Sequence, residues 1–160
     1  MKLLLASAIG VSLAAAASAH PASHSSAPPA QTVAAPAQAA AAVVDAFHAA
    51  LRRGDVKAAE SFLAENALIF ESGGVERGKA EYAAHHLGAD AEFSKAVPST
   101  VTRRAGDSVG NLAWVATEGR TNGSFKGKSL NLVTTESMVL RRTGSKWKIV
   151  HIHWSSASGS

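Results

Sequence analysis

The chain has 160 residues, 46% of them apolar, with 16 Lys+Arg against 12 Asp+Glu and no cysteine. That length builds one domain, and the apolar share rules out a wholly disordered chain. The lack of cysteine excludes disulfides, thiolate metal sites and a cysteine nucleophile.

Met1-Lys2, the uncharged Leu/Ala run from Leu3 to Ala17, and the small-x-small stretch Ala17-Ser18-Ala19 have the layout of a secretory signal peptide over residues 1–19. The run is short for a bilayer, which takes about 20 residues. The expectation is an exported chain, periplasmic or secreted, with no membrane span after cleavage. Residues 20–42 hold Pro21, Pro28, Pro29 and Pro36 and no Asp, Glu, Lys or Arg. Such a stretch has little to bury and reads as a flexible linker whose Ala-rich end joins the first helix. The folded domain is expected over 43–156, with a disordered tail over 157–160.

Val43, Val44, Phe47 and Leu51 share one helical face, and Gly54 stops that helix. Asp55 is placed to cap a second helix carrying Val56, Ala59, Phe62 and Leu63. Ala67 to Glu71 reads as a short strand closed by Ser72-Gly73-Gly74. Gly78 precedes a third helix, Lys79 to Leu87, ended by Gly88. The period then changes to two. Phe93 to Arg104 is expected as a strand interrupted at Pro98. Leu112 to Thr121 follows, with Asn122-Gly123 as a hairpin signal. Lys128 to Arg141 and Lys146 to Ser155 complete the set. Helices followed by a run of antiparallel strands predict an α+β fold. The second half of the chain is basic, but its Lys and Arg cluster in turns such as Arg103-Arg104 and Arg141-Arg142. With no reading helix or aromatic platform, nucleic acid is not an expected partner.

The segment Thr143-Gly-Ser-Lys-Trp147-Lys-Ile-Val-His151-Ile-His153-Trp-Ser155 resembles the closing hairpin of the association domain of calmodulin-dependent kinase and its bacterial relatives. Gly54-Asp55, Gly78 and Leu112-Ala113-Trp114-Val115 fit the same order of elements. The chain is thereby similar to the nuclear transport factor 2-like (SnoaL-like, ketosteroid isomerase-like) superfamily over nearly all of 43–156. The resemblance implies a cone-shaped half-barrel. Three N-terminal helices pack on a curved antiparallel sheet, a pocket lies at the open end, and the outer sheet face forms a homodimer. The last strand is apolar on both faces: Val150, Ile152 and Trp154 on one, Trp147, Ile149, His151 and His153 on the other. Two apolar faces need two covers, which is consistent with a partner subunit.

On the family's pattern, the even-numbered face turns inward. The expected ligand-binding residues are then Trp114, Glu118, Arg120, Glu136, Met138, Ile152 and Trp154, with Tyr82 on the third helix. Such a lining, mostly apolar with a few convergent polar groups, suits a small hydrophobic molecule. Glu118 and Glu136 are the candidate catalytic residues, since a carboxyl in apolar surroundings has its pKa raised toward acid/base use. The alternatives left open are a non-catalytic dimerisation or assembly module and a histidine-based metal site from His86, Asp90, His151 and His153. No cofactor is implied. The buried arginines of the kinase association domain align with Ala116, Met138 and Trp154. The Tyr and Asp set of ketosteroid isomerases has no counterpart on the inward strand faces. Neither ligand chemistry is therefore carried over.

Overall fold

The computed structural model describes residues 32–159. The signal-peptide expectation and most of the linker lie outside the described residues. Pro36 opens a 3-10 turn, Ala35–Ala37, where its missing N–H is not needed. Helix α1 (Gln38–Arg53) follows directly. Residues 35–42, inside the stretch expected as linker, are helical, because Ala37, Ala40 and Ala41 are small enough to be packed into the core.

Val44, Phe47, Ala50 and Leu51 bury the inner face of α1. Full burial of each large side chain stabilises by about 1.5–3 kcal/mol. Gly54 ends the helix in the left-handed region at φ 73, below Arg52 and Arg53, whose charges suit a helix C-terminus. Asp55 caps α2 (Val56–Ser61), accepting from the Ala58 amide at 3.0 Å. Strands β1 (Leu63–Glu71) and β2 (Gly74–Glu76) form a short edge hairpin. Helices α3 (Lys79–His85) and α4 (Leu87–Ala96) come next.

The remaining strands are β3 (Ser99–Val109), β4 (Leu112–Phe125), β5 (Lys128–Thr143) and β6 (Lys146–Ser158). The six lie in the order β2-β1-β6-β5-β4-β3, with helices over one face. Among the described residues, no helix is long and apolar enough to cross a membrane.

Five expectations are corrected. Among the described residues four α-helices are present rather than three, because Gly88 sits inside α4 instead of ending a helix. Phe93 is on that helix, and the strand begins only after Pro98. The sheet is not wholly antiparallel, since β1 runs parallel to β6. The β4–β5 turn falls at Lys126-Gly127, both with positive φ as a two-residue turn requires, and not at Asn122-Gly123. Finally, β6 runs to Ser158, with Ala157 paired to Val133, so residues 157–158 of the expected tail are part of the sheet.

The double-sided apolar character of β6 has a local cause. Leu140 pairs with Ile149, but Val139 pairs with His151, leaving Val150 as an extra residue. Such a bulge reverses which residues face inward. Trp147 and Ile149 point to the core before it, and Ile152 and Trp154 after it. The alternation is apolar on both numbered sets yet mostly on one physical face. A second cover is not needed to explain it.

Candidate functional site

Register builds the site row by row. In the sealed part of the cone, Ile69, Ile152, Met138 and Val115 lie side by side across four strands, and all are fully buried. One pleat further on, the row becomes Glu71, Trp154, Glu136, Thr117 and Arg104, one residue from each of five strands. The next row is Ser156, Thr134, Gly119 and Val101. Small side chains there leave space, and a cavity of about 580 Å³ opens above the polar row. Asp45, His48 and Arg52 from α1 and Asp90 and Phe93 from α4 close it from the helical side.

Glu136 is the centre of the polar row. One oxygen, Oε2, accepts from Trp154 Nε1 at 2.7 Å and lies 2.7 Å from His48 Nε2. The other, Oε1, is shielded from solvent and has no partner among the described residues. Burial pushes the Glu136 pKa up, but the His48 and Trp154 hydrogen bonds and the nearby Arg104 charge outweigh it and hold the carboxyl below its ordinary range. The residue is therefore an ionised carboxylate in a mostly buried position. Arg104 is committed elsewhere, its Nη1 to Asp45 and its Nε to Thr117 at 3.0 Å.

At the β1–α4 side the electrostatics run the other way. Asp90 accepts from the Tyr82 hydroxyl at 2.5 Å. Burial raises the Asp90 pKa, an effect the Tyr82 hydrogen bond only partly offsets. Glu71 is raised by burial and then by the Asp90 charge beside it. Burial, again first, followed by the Asp90 charge, drives the Tyr82 phenol far above its ordinary value. One cavity thus holds one carboxyl shifted down and two shifted up, the environment pattern of separated base and acid roles.

Among the expected ligand residues, Glu136 and Trp154 line the cavity. Met138 and Ile152 face inward but are sealed beneath it in the solid core. Tyr82 is fully buried and touches the site through Asp90 and through its ring against Trp154, centroids 6.3 Å apart. Trp114, Glu118 and Arg120 are on the outer face, exposed, so Glu118 is no longer a catalytic candidate. The reason is hairpin arithmetic. A two-residue turn pairs Phe125 with Lys128, so odd-numbered residues of β4 share a face with even-numbered residues of β5. Thr117, Gly119 and Thr121 take the inward places.

The histidine set does not converge. His86 pairs with Glu76 and Asp90 with Tyr82, whereas His151 bonds the Leu68 carbonyl at 2.9 Å and His153 packs on Phe70. His151 and His153 are on the sheet face opposite Trp154. No group of three or more metal-ligating side chains occurs among the described residues.

Sequence reasoning missed His48, Asp45 and Arg104. A signal existed for the first two: Asp45, His48 and Arg52 recur at i, i+3 and i+7, a polar stripe bordering the apolar face of α1. Arg104 was hidden by the irregularity between Val101 and Arg103, which changes the facing of β3.

A family model of the SnoaL-like domain matches residues 40–158. No protein of curated function matches the chain significantly. Among solved structures, a Shewanella frigidimarina protein provisionally named a ketosteroid isomerase is 37% identical, with a TM-score of 0.70 over 73% of this chain and 94% of that one. A provisionally named calcium/calmodulin-dependent protein kinase II association domain from Xanthomonas campestris is 18% identical, with a TM-score of 0.64 over 76% and 87%. The S. rosetta CaMKII hub is 22% identical, with a TM-score of 0.62 over 78% and 98%. The last two likenesses speak for the fold alone.

Proposed function

The chain belongs to the SnoaL-like domain family, and on that premise we propose that its cone binds a small amphipathic molecule and moves a proton on it. The observation that carries this reading is the buried Glu136 carboxylate fixing His48 at the cavity wall. With Nε2 held by Glu136, the ring's other nitrogen, which has no hydrogen-bond partner among the described residues, is the base. Glu136 stabilises the imidazolium that forms when His48 takes a proton from carbon. Asp90, kept protonated more readily than an ordinary carboxyl, supplies a proton to the carbonyl oxygen as the enol forms. The Shewanella relative's name points to the same class of step, although here the base is an imidazole on a helix.

The test is deuterium exchange at the carbon next to the carbonyl of acetophenone and of phenacylamine in D2O, followed by NMR. The wild type should accelerate exchange, and His48→Gln or Glu136→Gln should lose at least about 100-fold of it. A wild type no faster than buffer, or a His48→Gln variant as fast as wild type, overturns the reading.

Two further parts of the proposal concern the whole chain. Export rests on the layout of residues 1–19. A homodimer through the outer sheet face is supported by exposed Trp114 and Leu112, with half-buried Leu68, Phe70 and Val139 beside them. The neighbours named as association domain and hub fit an assembling module.

A further inference from the structure

The hydrogen-bonding capacity that faces the cavity is unbalanced. Its inner cationic donors already hold partners: Arg104 is on Asp45 and Thr117, and His48 Nε2 faces Glu136. Arg52, the other cation of the lining, is at the exposed rim. The acceptors are not spent. Glu136 Oε1 has no partner among the described residues, although the residue is only 8% exposed. The half-buried Glu71 carboxyl makes no hydrogen bond to any of them. Asp90 uses one oxygen on Tyr82, and its second has none. The rings of Trp154, Phe93 and Phe125 share the lining, Trp154 paired to Glu71 across β1 and β6 and the other two in edge contact with centroids 5.2 Å apart.

We propose, resting on the proton-transfer reading, that the molecule this cavity takes is a small organic cation, a protonated amine joined to an apolar ring. Its ammonium group supplies the missing donor to Glu71, and its ring lies against the aromatic wall. An ammonium has three donors and no acceptor, which is what unpartnered carboxylate oxygens call for. Aromatic faces add to its attraction. The whole chain carries a formal charge of +4, so its overall field repels cations. Preference for one must therefore come from the local carboxyls.

Calorimetric titration of the purified protein with 2-phenylethylammonium, 2-phenylethanol and phenylacetate tests this, since the three differ mainly in the charge of one end. The ammonium should bind at least about tenfold tighter than the alcohol, and phenylacetate should bind most weakly. Glu71→Gln, which leaves the Tyr82–Asp90 hydrogen bond in place, should bring the ammonium down to the alcohol's affinity. His48→Gln should keep the ammonium preference while losing proton transfer, which separates failure of this inference from failure of the catalytic reading. Equal affinities, tightest binding of phenylacetate, no binding of any probe at millimolar concentration, or a preference that survives Glu71→Gln each overturn it.

Discussion

Gly119 on β4 and Thr134 on β5 face each other so closely that a methyl group on Gly119 would stand 2.9 Å from the Thr134 hydroxyl and 3.0 Å from the Thr100 carbonyl. The space above the polar row exists because this pair carries so little side chain between two strands.

Gly119→Ala should destabilise the fold by about 1–3 kcal/mol, the usual cost of forcing a packed site apart. Adding Thr134→Ala should recover part of that loss and leave the Thr100 clash. Thermal melts of the two single variants and the double variant check the non-additivity. Equal and additive losses would count against the close approach.

Glu136 sets an acid limit on stability. Its pKa is held below the ordinary 4.5, so the unfolded chain binds its proton first as pH falls. Its contribution is complete above about 4.5 and is lost as pH drops through the lower folded value. Glu136→Gln should cost about 1.5–3 kcal/mol at neutral pH, the range for hydrogen bonds to a charged group. The gap between variant and wild type should shrink in melts taken at progressively lower pH.

Glu71 has the opposite sign. Burial and the Asp90 charge raise its pKa, so the native state binds the proton more tightly and stability falls as pH rises through the folded value. Glu71→Gln should therefore stabilise the protein at neutral pH, by less than about 1 kcal/mol after solvent screening. That gain should vanish below the ordinary value of 4.5. A variant less stable than wild type at neutral pH would contradict the assignment.

Trp114 is 44% exposed on the outer sheet face. If that face joins two copies, light scattering should give a dimer at micromolar concentration, and Trp114→Glu should give a folded monomer. A wild-type monomer ends the proposal.

Much of the architecture was readable in advance, and the reasons for the misses are physical. The apolar face Val44, Phe47 and Leu51, the Gly54-Asp55 break and the four long strands follow directly from periodicity and capping. Inward facing on β5 was also read correctly, and it placed Glu136 in the site. Facing on β4 was not, because it depends on the count of residues in one turn rather than on polarity. Glu118 and Arg120 look as suitable for a pocket as Thr117 and Gly119 do. The role of His48 was not legible because its partner Glu136 is 88 positions away in the chain, and only the packing of α1 on the sheet joins them.

The unpaired Val150 has a consequence for how such a domain can change. It divides β6 into a length that fills the base and a length that furnishes the hollow. Losing one residue there would close the bulge and leave every later pairing in place, Ile152 against Met138 and Trp154 against Glu136, while Trp147 and Ile149 kept theirs. A single lost codon could thus be absorbed with both the chamber and the foundation intact, a tolerance that a strand without a spare residue would not have.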